Sequence, residues 1–140
     1  PDFVGSVDVY KRQGALISKI IYIKKSGKKN FIILDAAMND LMRPALYGAI
    51  HRIMPSLKNN KISNENHEFV GPICESTDSF LNLKKFQELR ENEIVVICDV
   101  GAYGMSLSSN YNLRPKPIEL LIKGSKIKVI KKRQRHKDFI

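Results

Sequence analysis

The apolar residues of this chain come in short runs, none longer than five residues. The longest are Ile20–Ile23, Phe31–Leu34 and Ile94–Cys98. A membrane-spanning helix needs about 20 consecutive apolar residues, so these runs are far too short to form one. Their length and their β-branched residues are typical of strands. The chain has 140 residues, enough for one domain, and the pattern predicts a mainly β fold with one or two short helices.

Two pairs of short runs predict β-hairpins. Ala15–Ile23 and Phe31–Leu34 are joined by the sequence Lys-Lys-Ser-Gly-Lys-Lys, which suits an exposed turn. Ile118–Ile122 and Ile127–Ile130 flank Gly124-Ser125, a Gly-X pair that suits a tight turn. Both hairpins should therefore expose lysines on their outer faces and edges.

The segment between the hairpins contains one helix candidate. Asn39–Met54 has an amphipathic pattern, with Asn39 or Asp40 as its N-cap and Met54-Pro55 as its end. The other predicted elements are a polar surface loop, two strands, and a segment that suits a helical turn or a loop: Ser56–Asn66, Phe69–Ile73 and Ile94–Val100, and Phe86–Asn92.

The net charge of +10, from 24 Lys and Arg against 14 Asp and Glu, is concentrated near the two ends of the chain. Residues 10–30 carry seven basic residues and residues 123–137 carry eight, with no acid in either stretch. Residues 31–122 carry nine basic and eleven acidic residues, a net charge of −2. One interpretation is a small basic RNA-binding β-domain. We favour solvated sheet edges, because no aromatic side chains alternate with these lysines as single-strand binding requires.

Cysteine usage indicates a reducing compartment. Two cysteines, Cys74 and Cys98, cannot build a disulfide framework, and no signal peptide is recognisable, so we expect a cytoplasmic protein. The cysteines and the three histidines lack the spacing of a metal site, and we expect no metal.

Three clusters of residues differ from ordinary strand or turn sequence. In the first, Asn39–Tyr47, a helix would place Arg43 and Tyr47 on one face, because they are four residues apart. A guanidinium and a phenol together can bind a carboxylate. The structural alternative is an ordinary arginine on an N-capped surface helix.

The other two clusters follow predicted strands. In Val70–Asp78, a Gly-Pro pair is followed by Cys74, a candidate proton donor or nucleophile whose structural alternative is a small buried apolar residue. In Gly101–Asn112, small residues surround Tyr103, so its hydroxyl is a candidate ligand contact where the backbone approaches closely. The structural alternative there is a tight turn and a short Ser/Asn-rich helix.

In this order and at these separations, the clusters resemble the C-terminal part of the diaminopimelate decarboxylase family. That family belongs to the pyridoxal-phosphate decarboxylases, which are built from a (β/α)8 barrel and a β-domain. The resemblance implies that this chain is the C-terminal β-barrel or β-sandwich domain, with the barrel absent. It runs from about Gly14 to the C terminus and covers four motifs: Leu34–Asp40, Arg43-Pro44 with Leu46–Gly48, Gly71-Pro72 with Cys74–Ser76 and Asp78, and Gly101–Gly104 with Ser108–Asn112.

The resemblance implies a role for each candidate residue in the conversion of meso-diaminopimelate to L-lysine and carbon dioxide. Arg43 and Tyr47 would bind the distal carboxylate of the substrate, and Glu75 its distal ammonium. Tyr103 would contact the substrate and the pyridoxal phosphate. Cys74 would donate a proton after carbon dioxide leaves. It would act in the active site of the partner subunit, so a homodimer is implied.

The chain departs from the family pattern in two ways. Its first motif reads Asp-Ala-Ala-Met at Asp35–Met38, where the family usually has Asp-Ala-Gly-Met. No barrel and no Schiff-base lysine are present, so we expect this chain to be inactive alone. In place of the expected upstream segment, Asp8–Gln13 resembles one reading frame of a transposon end used in sequencing libraries. We therefore interpret residues 1–13 as adaptor-derived and residues 14–140 as the β-domain.

Two alternatives stay open. Within the same enzyme class, the alternative is a related arginine or carboxynorspermidine decarboxylase, although Glu75 with Arg43 and Tyr47 favours diaminopimelate. From a different class, the alternative is the small basic RNA-binding β-domain.

Overall fold

A computed structural model describes residues 13–139, and most of the regular structure in this part of the chain is β-strand. The prediction of a mainly β fold with one or two short helices is confirmed, and the number of helices is two. The segment interpreted as adaptor-derived lies outside the described residues except for Gln13. The strands are β1 Ala15–Ser26, β2 Lys29–Leu34, β3 Ile53–Pro55, β4 Ile62–Ser63, β5 Asn66–Val70, β6 Ser79–Leu83, β7 Phe86–Gln87, β8 Ile94–Cys98, β9 Glu119–Lys123 and β10 Lys126–Lys131; the helices are α1 Arg43–Tyr47 and α2 Gly101–Ser106, with 3-10 turns at Tyr111–Leu113 and His136–Asp138.

Six strands form the central sheet in the order β3-β8-β1-β2-β5-β6. Most neighbours are antiparallel, but β2 and β5 run parallel, with Ile32 opposite Phe69. Parallel pairing needs a long connection between the strands, and here the connection carries α1 and the first motif. The parallel pair therefore places residues 35–40 beside the loop that follows β5.

The core lies on one face of this sheet. Alternate residues of β2, β5 and β8 are buried, as expected for strands with one solvated face. Burial of each large aliphatic or aromatic side chain contributes roughly 1.5–3 kcal/mol. The fully buried apolar side chains include Ile20, Ile32, Leu34, Leu41, Phe69, Val95 and Ile97.

Both predicted hairpins are present. β1 and β2 are joined at Gly27, which has φ +59°, and β9 and β10 are joined at Gly124, which has φ +60°. A left-handed backbone favours glycine, so the two turns explain why glycine occupies both positions. Along β10 every side chain is exposed, apolar and basic alike.

The predicted helix Asn39–Met54 is wrong in length and in its cap. The helix is only Arg43–Tyr47, with Met42 at the N-cap position, and no side chain caps it. It ends because Gly48 takes the left-handed conformation, with φ +61°. The chain then forms β3, whose pairing with β8 buries Ile53. Tertiary pairing therefore overrides the helical pattern of the second half.

Other predicted boundaries also differ from the structure, and the strand predicted at Ile94–Val100 ends at Cys98. The predicted surface loop Ser56–Asn66 contains β4, and the predicted helical turn or loop Phe86–Asn92 begins with β7, because these two segments pair with each other. The strand predicted at Phe69–Ile73 is Asn66–Val70, since β5 follows the register of β2. No helix among the described residues is long and apolar enough to cross a membrane.

Candidate functional site

The loop between β5 and β6, residues 71–78, is organised by one buried carboxylate. Asp78 Oδ2 accepts a hydrogen bond from the Ile73 backbone N–H at 2.8 Å. Asp78 Oδ1 accepts one from the Met38 N–H at 2.7 Å, across 40 positions of sequence. The Gly71 N–H donates to the Asp78 carbonyl at 2.9 Å, which closes the loop. One side chain thus fixes the shape of the loop and attaches it to the first motif.

The electrostatics of Asp78 reflect this burial. Loss of solvation raises the pKa of Asp78, while the hydrogen bonds from Ile73 and Met38 and the charge of Arg114 oppose the rise. Asp40, which accepts a hydrogen bond from the Ala37 N–H at 2.9 Å, also has a pKa raised by burial. Asp40 therefore closes the turn before α1 and is not the N-cap that the sequence predicted.

Gly71 is required by the position of Asp78. A Cβ on Gly71 would clash with both carboxylate oxygens of Asp78. We predict that Gly71→Ala lowers the free energy of unfolding by about 1–3 kcal/mol, because the added methyl group must displace the carboxylate. Urea denaturation measures the change.

Gly104→Ala is the matched control for this substitution. A Cβ there would meet Val100 and Leu41 at ordinary contact distances of 3.6 and 3.9 Å. Alanine also favours a helix over glycine by about 1 kcal/mol, so this variant should not be destabilised. Equal destabilisation of the two variants would contradict the steric explanation.

Cys74 and Glu75 lie at the exposed tip of the loop. The Cys74 thiol is free and exposed, so the interpretation of this cysteine as a buried apolar residue is wrong. The Glu75 backbone is held by its N–H, which donates to the Ile73 carbonyl at 2.8 Å. Its carboxylate accepts a hydrogen bond from the Tyr111 hydroxyl at 2.5 Å. The loop thus presents a thiol and an oriented carboxylate side by side.

Arg43 and Tyr103 form a second group of candidate residues. The Arg43 guanidinium lies over the Tyr103 ring, 5.6 Å from its centroid, a cation–π contact. No carboxylate among residues 13–139 lies within ion-pair distance of Arg43. Tyr47 belongs to the same helix and is 67% exposed. Arg43 thus offers a guanidinium beside the Tyr103 ring, and a guanidinium with a phenol suits a carboxylate ligand.

A polar network is centred on the buried side chain of Asn39. The Asn39 side chain is fully buried; its Oδ1 accepts a hydrogen bond from Arg114 Nε at 3.0 Å, and its Nδ2 donates to the Ser109 carbonyl at 3.3 Å. Arg114 also donates to the Asp35 carbonyl. The network joins the first motif to the segment that carries Tyr111. A buried, satisfied network of this kind fixes one arrangement of the backbone.

The structure therefore brings the candidates together as two groups, Arg43 with Tyr103 and Cys74 with Glu75. Among the described residues, Arg43 contacts the Tyr103 ring, and Glu75 accepts its hydrogen bond from Tyr111. The sequence analysis singled out neither Tyr111 nor Arg114 as a functional residue. Tyr111 lies within the Ser108–Asn112 motif and Arg114 lies two residues after it, so this motif is the part of the sequence that pointed to both residues.

The site also limits which cofactors or metals these residues could hold. No group of three or more His, Cys, Asp or Glu among the described residues is placed to bind a metal ion. The Tyr103 ring is 40% exposed and follows Gly101, whose backbone lies against Gly14. An accessible phenol beside closely packed backbone fits one side of a flat, anionic cofactor such as pyridoxal phosphate.

Comparison with known proteins finds a matching family and similar decarboxylases. The family described as "Pyridoxal-dependent decarboxylase, C-terminal sheet domain" matches residues 7–101. The diaminopimelate decarboxylase of Helicobacter pylori is 43% identical over 133 residues, which cover 94% of this chain and 32% of that protein. The diaminopimelate decarboxylase of Aquifex aeolicus is 39% identical over 127 residues, covering 91% of this chain and 30% of that protein.

A solved structure shows the same fold. The crystal structure of the H. pylori diaminopimelate decarboxylase complexed with L-lysine has a TM-score of 0.83 and 43% sequence identity, covering 93% of this chain and 32% of that chain. This chain therefore spans about a third of the length of the curated relatives it matches.

Proposed function

Because the chain belongs to the pyridoxal-dependent decarboxylase family, whose C-terminal sheet domain it matches, we propose that it is the β-domain of a diaminopimelate decarboxylase. The full enzyme would convert meso-diaminopimelate to L-lysine and carbon dioxide, a step of lysine biosynthesis. The observation that carries this proposal is the 43% identity with the H. pylori diaminopimelate decarboxylase over 94% of the chain.

The two groups of side chains suit the two ends of the distal arm of this substrate. The Arg43 guanidinium, free of described carboxylates, binds the distal carboxylate with the Tyr47 hydroxyl. The Glu75 carboxylate binds the distal ammonium, and Tyr103 contacts the reacting end. Charge-assisted contacts to both the distal carboxylate and the distal ammonium distinguish diaminopimelate from arginine, which has no distal carboxylate.

Cys74 supplies the proton that replaces the departing carboxylate. Loss of carbon dioxide leaves an electron pair on the α-carbon, and the Cys74 Sγ–H donates its proton to that carbon. The thiolate then regains a proton from solvent, which its exposure permits. In this reaction one proton is consumed for each carbon dioxide released.

Pyridoxal phosphate is the cofactor that the family implies, and when bound it accepts the electron pair of the broken bond. Tyr103 is the residue of this chain that we assign to its surface, near the phosphate. The covalent lysine would belong to the barrel of the longer enzyme. The same proposal includes a homodimer, in which the Cys74 loop of each subunit enters the active site of the other. It also places the enzyme in the cytoplasm.

For the domain boundary, we propose that the β-domain occupies residues 14–140. The family match begins at residue 7, so it overlaps the segment that the sequence interpretation assigns to an adaptor. Sequencing the source gene across codons 8–13 tests the boundary, because native coding sequence that continues through them contradicts an adaptor origin.

A substrate panel tests the proposed function. The full-length protein that carries this domain should release carbon dioxide from meso-diaminopimelate, with far slower release from arginine, ornithine and carboxynorspermidine. This chain alone, mixed with pyridoxal phosphate, should show no activity and no specific lysine adduct after borohydride reduction. Preference for arginine by the full-length protein would contradict the substrate assignment, and a specific adduct on this chain would contradict the location of the lysine.

A further inference from the structure

The hydrogen bond between Tyr111 and Glu75 joins two exposed side chains that are 36 positions apart in the sequence. Tyr111 is 43% exposed, and Glu75 lies at the exposed loop tip. Two flexible side chains on a surface lose conformational freedom when they pair, so such contacts persist only where the backbones hold them in place. Both backbones are held here.

The backbone of Tyr111 is held by its neighbours. Its N–H donates to Ser109 Oγ at 3.3 Å, and the Asn110 side chain donates to the Arg114 carbonyl at 2.9 Å. The next two residues, Asn112 and Leu113, take left-handed conformations with φ +56° and +55°. This conformation disfavours leucine by about 1–2 kcal/mol, so the surrounding contacts and not local preference set the turn.

The backbone of Glu75 is held from the other side. Its N–H donates to the Ile73 carbonyl at 2.8 Å, and its carbonyl accepts from the Asp78 N–H at 3.1 Å. The Tyr111 hydroxyl donates to Oε1 and leaves Oε2 without a described partner. A carboxylate fixed through one oxygen can present the other to a cation. The hydrogen bond to Glu75, together with the charge of that carboxylate, raises the pKa of Tyr111, which is the direction expected for a phenol that donates its proton to an anion.

We propose that Tyr111 is a positioning residue, whose hydroxyl holds the Glu75 carboxylate in the orientation that binds the distal ammonium of the substrate. This inference rests on the proposed function and deepens it. The Tyr111 hydroxyl is not packed in the hydrophobic core. Its removal should therefore change substrate binding and leave the free energy of unfolding almost unchanged.

Tyr111→Phe in the full-length protein is the test. We expect KM for meso-diaminopimelate to rise about tenfold, because the Glu75 carboxylate loses the hydrogen bond that orients it, and kcat to change less than about twofold. Tyr22→Phe is the matched control, since Tyr22 is 52% exposed on β1 and has no assigned role. An unchanged KM in Tyr111→Phe, or an equal effect in the control, would overturn the inference.

Two further measurements separate this inference from the proposed function. In a Glu75→Gln background, Tyr111→Phe should add almost nothing to KM, because the two residues act as one unit; additive effects would overturn the inference. In this 140-residue chain, ultraviolet titration should show that Glu75→Gln lowers the pKa of Tyr111, and no shift would mean that the hydrogen bond is absent. An inactive wild-type enzyme would contradict the proposed function and the substrate role of Tyr111 together, whereas an active enzyme with normal Tyr111→Phe kinetics contradicts this inference alone.

Discussion

Replacing Cys74 with alanine in the full-length protein should lower kcat by about 100-fold or more, while the cofactor stays bound. A positioned general acid typically contributes 10²–10⁴-fold to a rate, and alanine has no proton to donate. The thiol is exposed at a loop tip and makes no described hydrogen bond, so its loss should leave the fold intact. Steady-state release of carbon dioxide and the visible absorbance of the bound cofactor measure the two effects.

Cys98→Ala is the matched control for this prediction. Cys98 lies in β8, half-buried, with its sulfur 3.8 Å from the Met54 sulfur, and none of the proposed catalytic or binding roles falls on it. Its replacement should leave kcat within about twofold of the wild type, with a modest loss of stability from the lost contact. Wild-type turnover in Cys74→Ala would rule out the proton-donor role. Loss of the cofactor in that variant would assign the cysteine a binding role instead.

Replacing Asp78 with alanine should lower the free energy of unfolding of this chain by about 3 kcal/mol. Two backbone N–H groups, at Ile73 and Met38, would lose a charged acceptor, and each such bond is worth roughly 1.5–3 kcal/mol. Relief from burying the carboxylate offsets part of the loss. The loop that carries Cys74 would also lose its attachment to the first motif, so kcat of the full-length variant should fall. Urea denaturation measures the stability.

The pH dependence gives this prediction a second test. Burial raises the folded-state pKa of Asp78, so proton binding favours the folded state. The stability that the raised pKa of Asp78 contributes is fully present below the pKa of the unfolded state. It is lost as the pH rises through the pKa of the folded state. The stability difference between the wild type and Asp78→Ala should therefore be larger at acidic than at neutral pH.

Asp138→Ala is the control for Asp78→Ala. Asp138 is exposed; its carboxylate accepts a hydrogen bond from the Arg135 backbone N–H and lies 3.6 Å from the Arg135 guanidinium, both local surface contacts, so its removal should change stability by at most about 1 kcal/mol. Equal effects at the two positions would contradict the central role of Asp78. A stability difference that grows toward neutral pH would contradict the direction of its pKa shift.

The local parts of the fold could be predicted because short-range rules govern them. The alternation of Lys126–Ile130 and the glycine at Gly124 were enough to place the second hairpin and its turn. The helix after Asp40 was predicted too long, because the pattern could not reveal that Ile53 pairs with Ile97 in β8. The roles of Cys74, Glu75, Arg43, Tyr47 and Tyr103 came from the resemblance to a family and stay predictions.

The sequence by itself determined the mainly β character of the fold, the two hairpins and the residues of the four motifs, whose order indicated the family. Only the tertiary structure decided how the motifs meet: Met38 with Asp78, Asn39 with Arg114, and Glu75 with Tyr111. The physical reason is that each of these contacts spans more than 30 positions and depends on the parallel register of β2 with β5 and on a buried polar network. Local patterns favour a conformation for each segment, whereas the packing of the whole chain chooses its partner across the fold and, at Ile53, also its conformation.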